Sequence, residues 1–200
     1  MRGGAIRCEE LRPSLWPQLE KLFGQNGACG GCWCMWWRVE RGGKLWQQTH
    51  GAKAKRSFKR LVQSGRARGI LAFSGDRPVG WCAFGPRVDF PRLDRSRAFK
   101  RSDVDGVWSI NCFFIASDFR GRGIGRKLLD AAIRACKRRR ARMLEAYPVT
   151  QTADGGRVAS AFAYTGPIGI FEEQGFEVVQ RLSPTRPLVR RTLRGEPSGD

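Results

Sequence analysis

The residues best suited to chemistry form the turn Arg120-Gly121-Arg122-Gly123-Ile124-Gly125, set between an apolar run and a helical pattern. Its glycines let the chain turn tightly and bring its backbone close to a ligand. The first amides of the helix that follows have no partner within the helix, and the helix dipole adds partial positive charge there. With Arg120, Arg122 and Arg126 adding full charges, the segment has the makings of an oxyanion nest suited to phosphate. Two nucleotide motifs are excluded by spacing. A dinucleotide fingerprint would need a third glycine at position 126, which is Arg126. A mononucleotide P-loop would end in Gly-Lys-Ser/Thr, which is absent here.

Other chemistry-bearing residues are fewer. Glu145 is a carboxylate in an otherwise apolar run and shares it with Tyr147; the two tyrosines of the chain are Tyr147 and Tyr164. A carboxylate in such a place invites either a role as general base or a paired structural charge. Asp103 and Asp105 are further base candidates, and His50, the single histidine, reads as a surface residue. The segment Cys29-Gly30-Gly31-Cys32-Trp33-Cys34-Met35-Trp36-Trp37-Arg38 is the second unusual feature. Cys29, Cys32 and Cys34 with His50 could compose a Cys3His zinc site, but the spacing is not that of a standard finger and there is no second cysteine pair. The expectation is no metal.

These residues must be positioned by a mixed α/β domain. A first strand is expected over residues 5–11, a helix over 14–23 led by Pro13, and an irregular aromatic segment over 24–48. A basic-faced helix follows over 52–64, then a hairpin with strands at 70–73 and 79–84. A polar loop covers 86–106. Residues 107–115 are apolar on both alternating faces, as in a central strand covered on both sides. After the glycine turn, Ile124, Leu128, Ala131, Ala132 and Ala135 make the buried face of a helix. A strand over 143–149, a helix over 168–174 stopped by Gly175, and strands at 177–180 and 188–193 complete the order. The fold class is α/β (α+β): a largely antiparallel sheet with a central βαβ unit at 107–149 and flanking helices. One domain spans 1–194, with 195–200 a flexible tail.

Arg-x-x-Gly-x-Gly after a strand and before a helix resembles the pyrophosphate-binding motif of the GNAT superfamily of acyl-CoA N-acyltransferases. Phe171-Glu172-Glu173-Gln174-Gly175-Phe176 is similar to that family's late helix-to-strand signature, and the element order is similar along nearly the whole chain. The resemblance implies that acetyl-CoA, as cosubstrate, lies on Arg120, Gly121, Arg122, Gly123, Ile124, Gly125 and Arg126. Two parallel strands would splay apart near Ile115 and Val149. The cofactor's arm would then add to the open backbone edge of Phe113, Phe114 and Ile115, like an extra strand. The thioester would lie beside Asn111 to Phe113, where a backbone amide could donate to the developing oxyanion. The usual family acid is a late-helix tyrosine, but the matching position here holds Phe171. That leaves Tyr147, preferred, and Tyr164 as acids, with Glu145 as base; ordinary packing is the competing reading for each. The resemblance also puts Trp33, Trp36, Trp37 and Asn111 at the wall of the acceptor site, core packing again being the alternative for the tryptophans. The implied activity is N-acetyl transfer to a primary amine, on a small molecule or a protein, by direct attack in a ternary complex.

Composition bounds the remainder. The 200-residue chain carries a formal charge of +19, and 29 of its 37 basic residues are Arg. That charge supports an alternative reading, a nucleic-acid- or ribosome-associated binding module that retains the fold without turnover. Nucleic acid is therefore a less favoured partner. Seven scattered cysteines, an odd number, suit a reducing compartment, and no apolar run approaches the ~18 residues needed to cross a bilayer. The expectation is a cytoplasmic protein without membrane contact, as a monomer or homodimer.

Overall fold

The structure is a computed structural model; it describes residues 5–40, 44–95, 99–150 and 164–193. Among the described residues seven strands form one sheet: β1 (Ile6–Glu10), β2 (Arg68–Ser74), β3 (Arg77–Pro86), β4 (Val107–Ile115), β5 (Met143–Ala146), β6 (Glu177–Ser183) and β7 (Arg186–Thr192). Their spatial order is β1-β2-β3-β4-β5-β7-β6, and only β4 and β5 run parallel. The helices are α1 (Trp16–Phe23), α2 (Lys44–Thr49), α3 (Ala52–Gln63), α4 (Arg92–Arg95), α5 (Ile124–Arg138) and α6 (Ile168–Glu172).

The sheet is covered on both faces, as the doubly apolar pattern of residues 107–115 requires. On one face, α5 packs Ile124, Leu128, Ala131, Ala132 and Ala135 against Val79, Cys82, Ile110 and Phe113. On the other, Leu19 and Phe23 of α1 and Phe58 and Val62 of α3 surround the fully buried Trp81. A third cluster, Trp37, Phe90, Leu93, Tyr147 and Leu188, closes the far end of β5.

Three local differences from the sequence reading have physical causes. The strand expected over 143–149 stops at Ala146, because Pro148 has no N–H for a ladder. Beyond it, Val149 makes only an isolated parallel bridge to Pro167. The segment 24–48, expected to be irregular, contains most of α2, and the loop 86–106 contains α4. The tail at 195–200 lies outside the described residues.

Two features of β4 set up the site. It pairs with β5 only from Val107 to Ile110, so the remainder of the strand diverges from its parallel neighbour. Its register with β3 also shifts: Ala83 faces Cys112 and Phe84 faces Ile110, leaving Asn111 as an extra residue. A bulge of this kind bends a strand and re-aims its side chains, and bulges concentrate beside active sites.

Candidate active site

The splay between β4 and β5 opens into a cavity of about 610 Å³. It is lined by Arg120 and Gly125 of the glycine turn, by Cys112 to Ile115 of β4, and by Tyr164, Trp36 and Trp46. Its lining is mostly apolar, and no carboxylate lines it among the described residues.

At the turn, Gly121 and Gly123 both have φ of +73°, a left-handed conformation that side chains disfavour. Gly123 is the N-cap residue of α5, and among the described residues no side-chain hydrogen bond caps that end. Arg120 Nε donates to the Ile115 carbonyl at 3.2 Å, and the Arg122 guanidinium lies 5.0 Å from the Phe119 ring centre. Neither arginine has a carboxylate partner among the described residues. Arg126 differs: it holds Glu173 of α6 through two hydrogen bonds, at 2.5 and 2.6 Å, which keep its guanidinium more basic than usual. Of the three arginines expected at an anion, two make no ion pair with a described carboxylate, and the third ties α5 to α6.

The strand edge is partly occupied. The Phe113 amide donates to the Tyr164 carbonyl at 2.5 Å, and the Val149 amide to the Gly166 carbonyl at 2.9 Å. By strand alternation the Ile115 amide faces the same opening. A ligand pairing with Phe113 must therefore displace the Tyr164 carbonyl. Asn111, expected at the wall of the acceptor site, is not among the residues that line the cavity. Asn111 is buried, its carbonyl accepts from the Trp37 indole at 3.0 Å, and its Nδ2 has no hydrogen-bond partner among the described residues.

The candidate acids and base separate. Glu145 and Tyr147 are both fully buried and neither lines the cavity. Glu145 is held by Arg87 Nη1 at 3.3 Å and Arg190 Nη2 at 3.2 Å, and the Tyr147 hydroxyl donates to it. Burial, then the Glu145 charge, pushes the Tyr147 hydroxyl well above its ordinary pKa. This geometry favours the paired structural charge for Glu145 and ties Tyr147 to it, away from the cavity lining. Asp103 also binds Arg190, which lowers its carboxyl, and Asp105 faces Arg142 at 3.3 Å. Tyr164 does line the cavity, and burial raises its hydroxyl to about 12. Phe171, at the family's tyrosine position, is buried against Phe113 and Phe176.

The tryptophans separate as well. Trp33 is 2% exposed and packs on Trp16 and Phe23 in the core; Trp37 is 5% exposed and stacks on Tyr147. Only Trp36 of the three lines the cavity, with the Arg92 guanidinium 3.4 Å from its ring centre. Its lining neighbour Trp46, edge-on to Trp36 at 5.1 Å, was not singled out by the sequence, nor was Cys112. Among the described residues no group of three or more His, Cys, Asp or Glu side chains is arranged to hold a metal ion. No helix among them is long and apolar enough to cross a membrane.

Comparison with known proteins follows the same lines. Residues 32–159 match the family model for the Acetyltransferase (GNAT) family. No curated protein matches the sequence significantly. The fold resembles an acetyltransferase from Thermus thermophilus (19% identity, TM-score 0.53, 96% of this chain and 100% of that one). It also resembles a GCN5-related N-acetyltransferase from Kribbella flavida (17%, TM-score 0.57, 94% and 98%). A third likeness is to the PaiA N-acetyltransferase of Thermoplasma acidophilum in complex with coenzyme A (11%, TM-score 0.55, 94% and 99%). With well over half of its length matched by the family model, and with the splayed strands and glycine turn in place, the chain belongs to the GNAT family of acetyltransferases.

Proposed function

We propose that this acetyltransferase moves the acetyl group of acetyl-CoA to a primary amine by direct attack, donor and acceptor being bound together. The observation that carries this reading is a cavity lined together by Arg120 and Gly125 of the glycine turn, Cys112 to Ile115 of the open β4 edge, Tyr164 and Trp36. The pyrophosphate would lie against the amides of Ile124 and Gly125, with Arg120 and Arg122 neutralising it. The pantetheine arm would pair with the Ile115 amide and, once the Tyr164 carbonyl yields, with that of Phe113. The Thermoplasma relative was solved with coenzyme A, which supports the same ligand here.

Attack requires a neutral amine. An apolar wall with no carboxylate among the described residues, and with Arg120 at the glycine turn, penalises an ammonium and lowers its pKa, so the amine sheds its proton to water without a dedicated base. The carbonyl oxygen gains charge as the amine adds, and a backbone amide of the open β4 edge would donate to it. The departing thiolate takes its proton from Tyr164. Because the Tyr164 hydroxyl is raised to about 12, it stays protonated across the working range. An acid acts in its protonated form, so no alkaline limb from Tyr164 is expected below about pH 11. The expected result for Tyr164→Phe is a fall in kcat of roughly 100-fold with KM for acetyl-CoA nearly unchanged. Steady-state rates from thioester absorbance loss across pH 6–10 would check both statements, and a variant as fast as wild type would remove Tyr164 from the mechanism.

The direct test of the reading is calorimetry of the wild-type chain with acetyl-CoA, followed by an amine screen read by acetylated-product mass. Absence of binding at high micromolar acetyl-CoA would overturn it. The competing nucleic-acid reading loses part of its support, because the densest basic run is partly neutralised: Arg138 and Arg139 both bind Glu10, and Arg142 faces Asp105.

A further inference from the structure

The three cysteines of the aromatic loop, unexplained by acetyl transfer, are sharply distinguished by the structure. Cys29 is exposed and Cys32 half-buried, whereas Cys34 is 8% exposed and faces a residue of the central strand. Its sulfur lies 3.6 Å from Cys112 Sγ, and the Trp81 indole N–H donates to it at 3.0 Å. Cys34 and Cys112 are both among the residues that line the cavity. The backbone is strained at this point. Trp33 and Cys34 are consecutive non-glycine residues with φ of +45° and +54°, a conformation kept only where the surroundings impose it, and one that clusters at functional sites.

We propose that Cys34 is a hydroperoxide-reactive modification site, with Cys112 placed to resolve its oxidised form as a disulfide across the cavity wall. A thiolate is the reactive form of cysteine, and a resolving thiol next to it is the usual arrangement of a redox-responsive pair. Two donors converge on Cys34 Sγ when it is ionised: the Cys112 S–H and the Trp81 N–H. The hydrogen bond from Cys112, joined by that from Trp81 and the charge of Arg38, holds the Cys34 thiol below its ordinary pKa against the opposing effect of burial. The other buried thiols move the opposite way. Burial raises Cys82 and lifts Cys136 to about 12, and the contact with Cys34 lifts Cys112.

The chemistry balances with one hydroperoxide. The Cys34 thiolate attacks a peroxide oxygen, the O–O bond breaks, and with one proton taken up the products are Cys34 sulfenic acid and water (for hydrogen peroxide). Cys112 sulfur then attacks the sulfenic sulfur, expelling its oxygen as a second water and forming the S–S bond. Two thiols are oxidised and one peroxide is reduced by two electrons. A disulfide needs the sulfurs at about 2.05 Å. The pair must therefore close up from 3.6 Å, drawing on β4 at Cys112, between Asn111 and Phe113, and taking from Trp81 its thiolate acceptor. The oxidised chain is accordingly expected to bind acetyl-CoA at least tenfold more weakly, a consequence that rests on the cofactor reading above.

The test is to treat the fully reduced chain with hydrogen peroxide, block free thiols, digest without reductant and map by mass. The expected product is a peptide linking Cys34 to Cys112, reversed by dithiothreitol. In Cys112→Ser, Cys34 should stop at the sulfenic acid and be trapped by dimedone; in Cys34→Ser, Cys112 should remain reduced. A Cys29–Cys32 link in place of the expected one, or oxidation of Cys29 with Cys34 untouched, would overturn the proposal. Calorimetry on reduced and oxidised chains separates the two readings. If the reduced chain does not bind acetyl-CoA, the cofactor reading fails while the mapping still decides the cysteine pair. Equal binding by both forms would overturn the coupling between them.

Discussion

Replacing Gly123 with tryptophan is expected to raise the Kd for acetyl-CoA at least 100-fold, about 2.7 kcal/mol in binding free energy. Two effects add at this position. Gly123 has φ of +73° as the cap of α5, and a side chain there costs about 1–2 kcal/mol in backbone strain, felt by bound and free states alike. Nothing lies within 4 Å of where its Cβ would be, so an indole meets no protein atom at its base and projects over the surface that the pyrophosphate should occupy. The first effect lowers Tm without touching affinity, and the second lowers affinity. Gly123→Ala carries mostly the first and should bind within about tenfold of wild type. Calorimetry on both variants, with melting curves to show that each is folded, separates them. A Gly123→Trp chain that is folded and binds as wild type would place the ligand elsewhere.

The features that carry this prediction were legible in the sequence because they depend on near neighbours. Residues 107–115 announce a strand buried on both faces, the glycines announce left-handed turns, and the apolar spacing from Ile124 announces α5. What escaped depends on contacts distant along the chain. Nothing local tells Trp36, at the cavity, from Trp33 and Trp37, in the core; the left-handed φ values at Trp33 and Cys34 are not legible from residue types either. Trp46 reaches the cavity from a six-residue helix too short for a readable apolar stripe. The Cys34–Cys112 approach joins a loop to the central strand, 78 residues apart. The bulge at Asn111 leaves no mark in the alternation of apolar residues, because both faces of β4 are buried.

Glu145 is the residue whose meaning changes most between sequence and structure, and the second large effect is expected there. A base at the cavity, when removed, would leave a stable chain with little activity. The structure instead holds Glu145 at 0% exposure between Arg87, itself 1% exposed, and Arg190, with the Tyr147 hydroxyl as a further donor. Glu145→Ala leaves Arg87 with Asp94 and the Phe99 carbonyl, and leaves the Tyr147 hydroxyl without its acceptor. Breaking a buried pair by removing one partner typically costs about 3–5 kcal/mol. At roughly 2–4 °C per kcal/mol for a chain of this size, Tm should fall by about 6–20 °C. Arg87→Met should also lower Tm, because it leaves the buried Glu145 with Arg190 as its one remaining counter-charge among the described residues. The double variant Glu145→Leu with Arg87→Met removes both charges together, and it should be more stable than either single variant. Thermal melts of the three chains measure this, while acetyl-transfer rates per folded molecule measure the rest. A Glu145→Ala chain with an unchanged Tm and a kcat lowered 100-fold would return Glu145 to the mechanism. Lost stability with preserved turnover would establish that this carboxylate holds β5 to its neighbours and leaves proton transfer to the cavity side of the sheet.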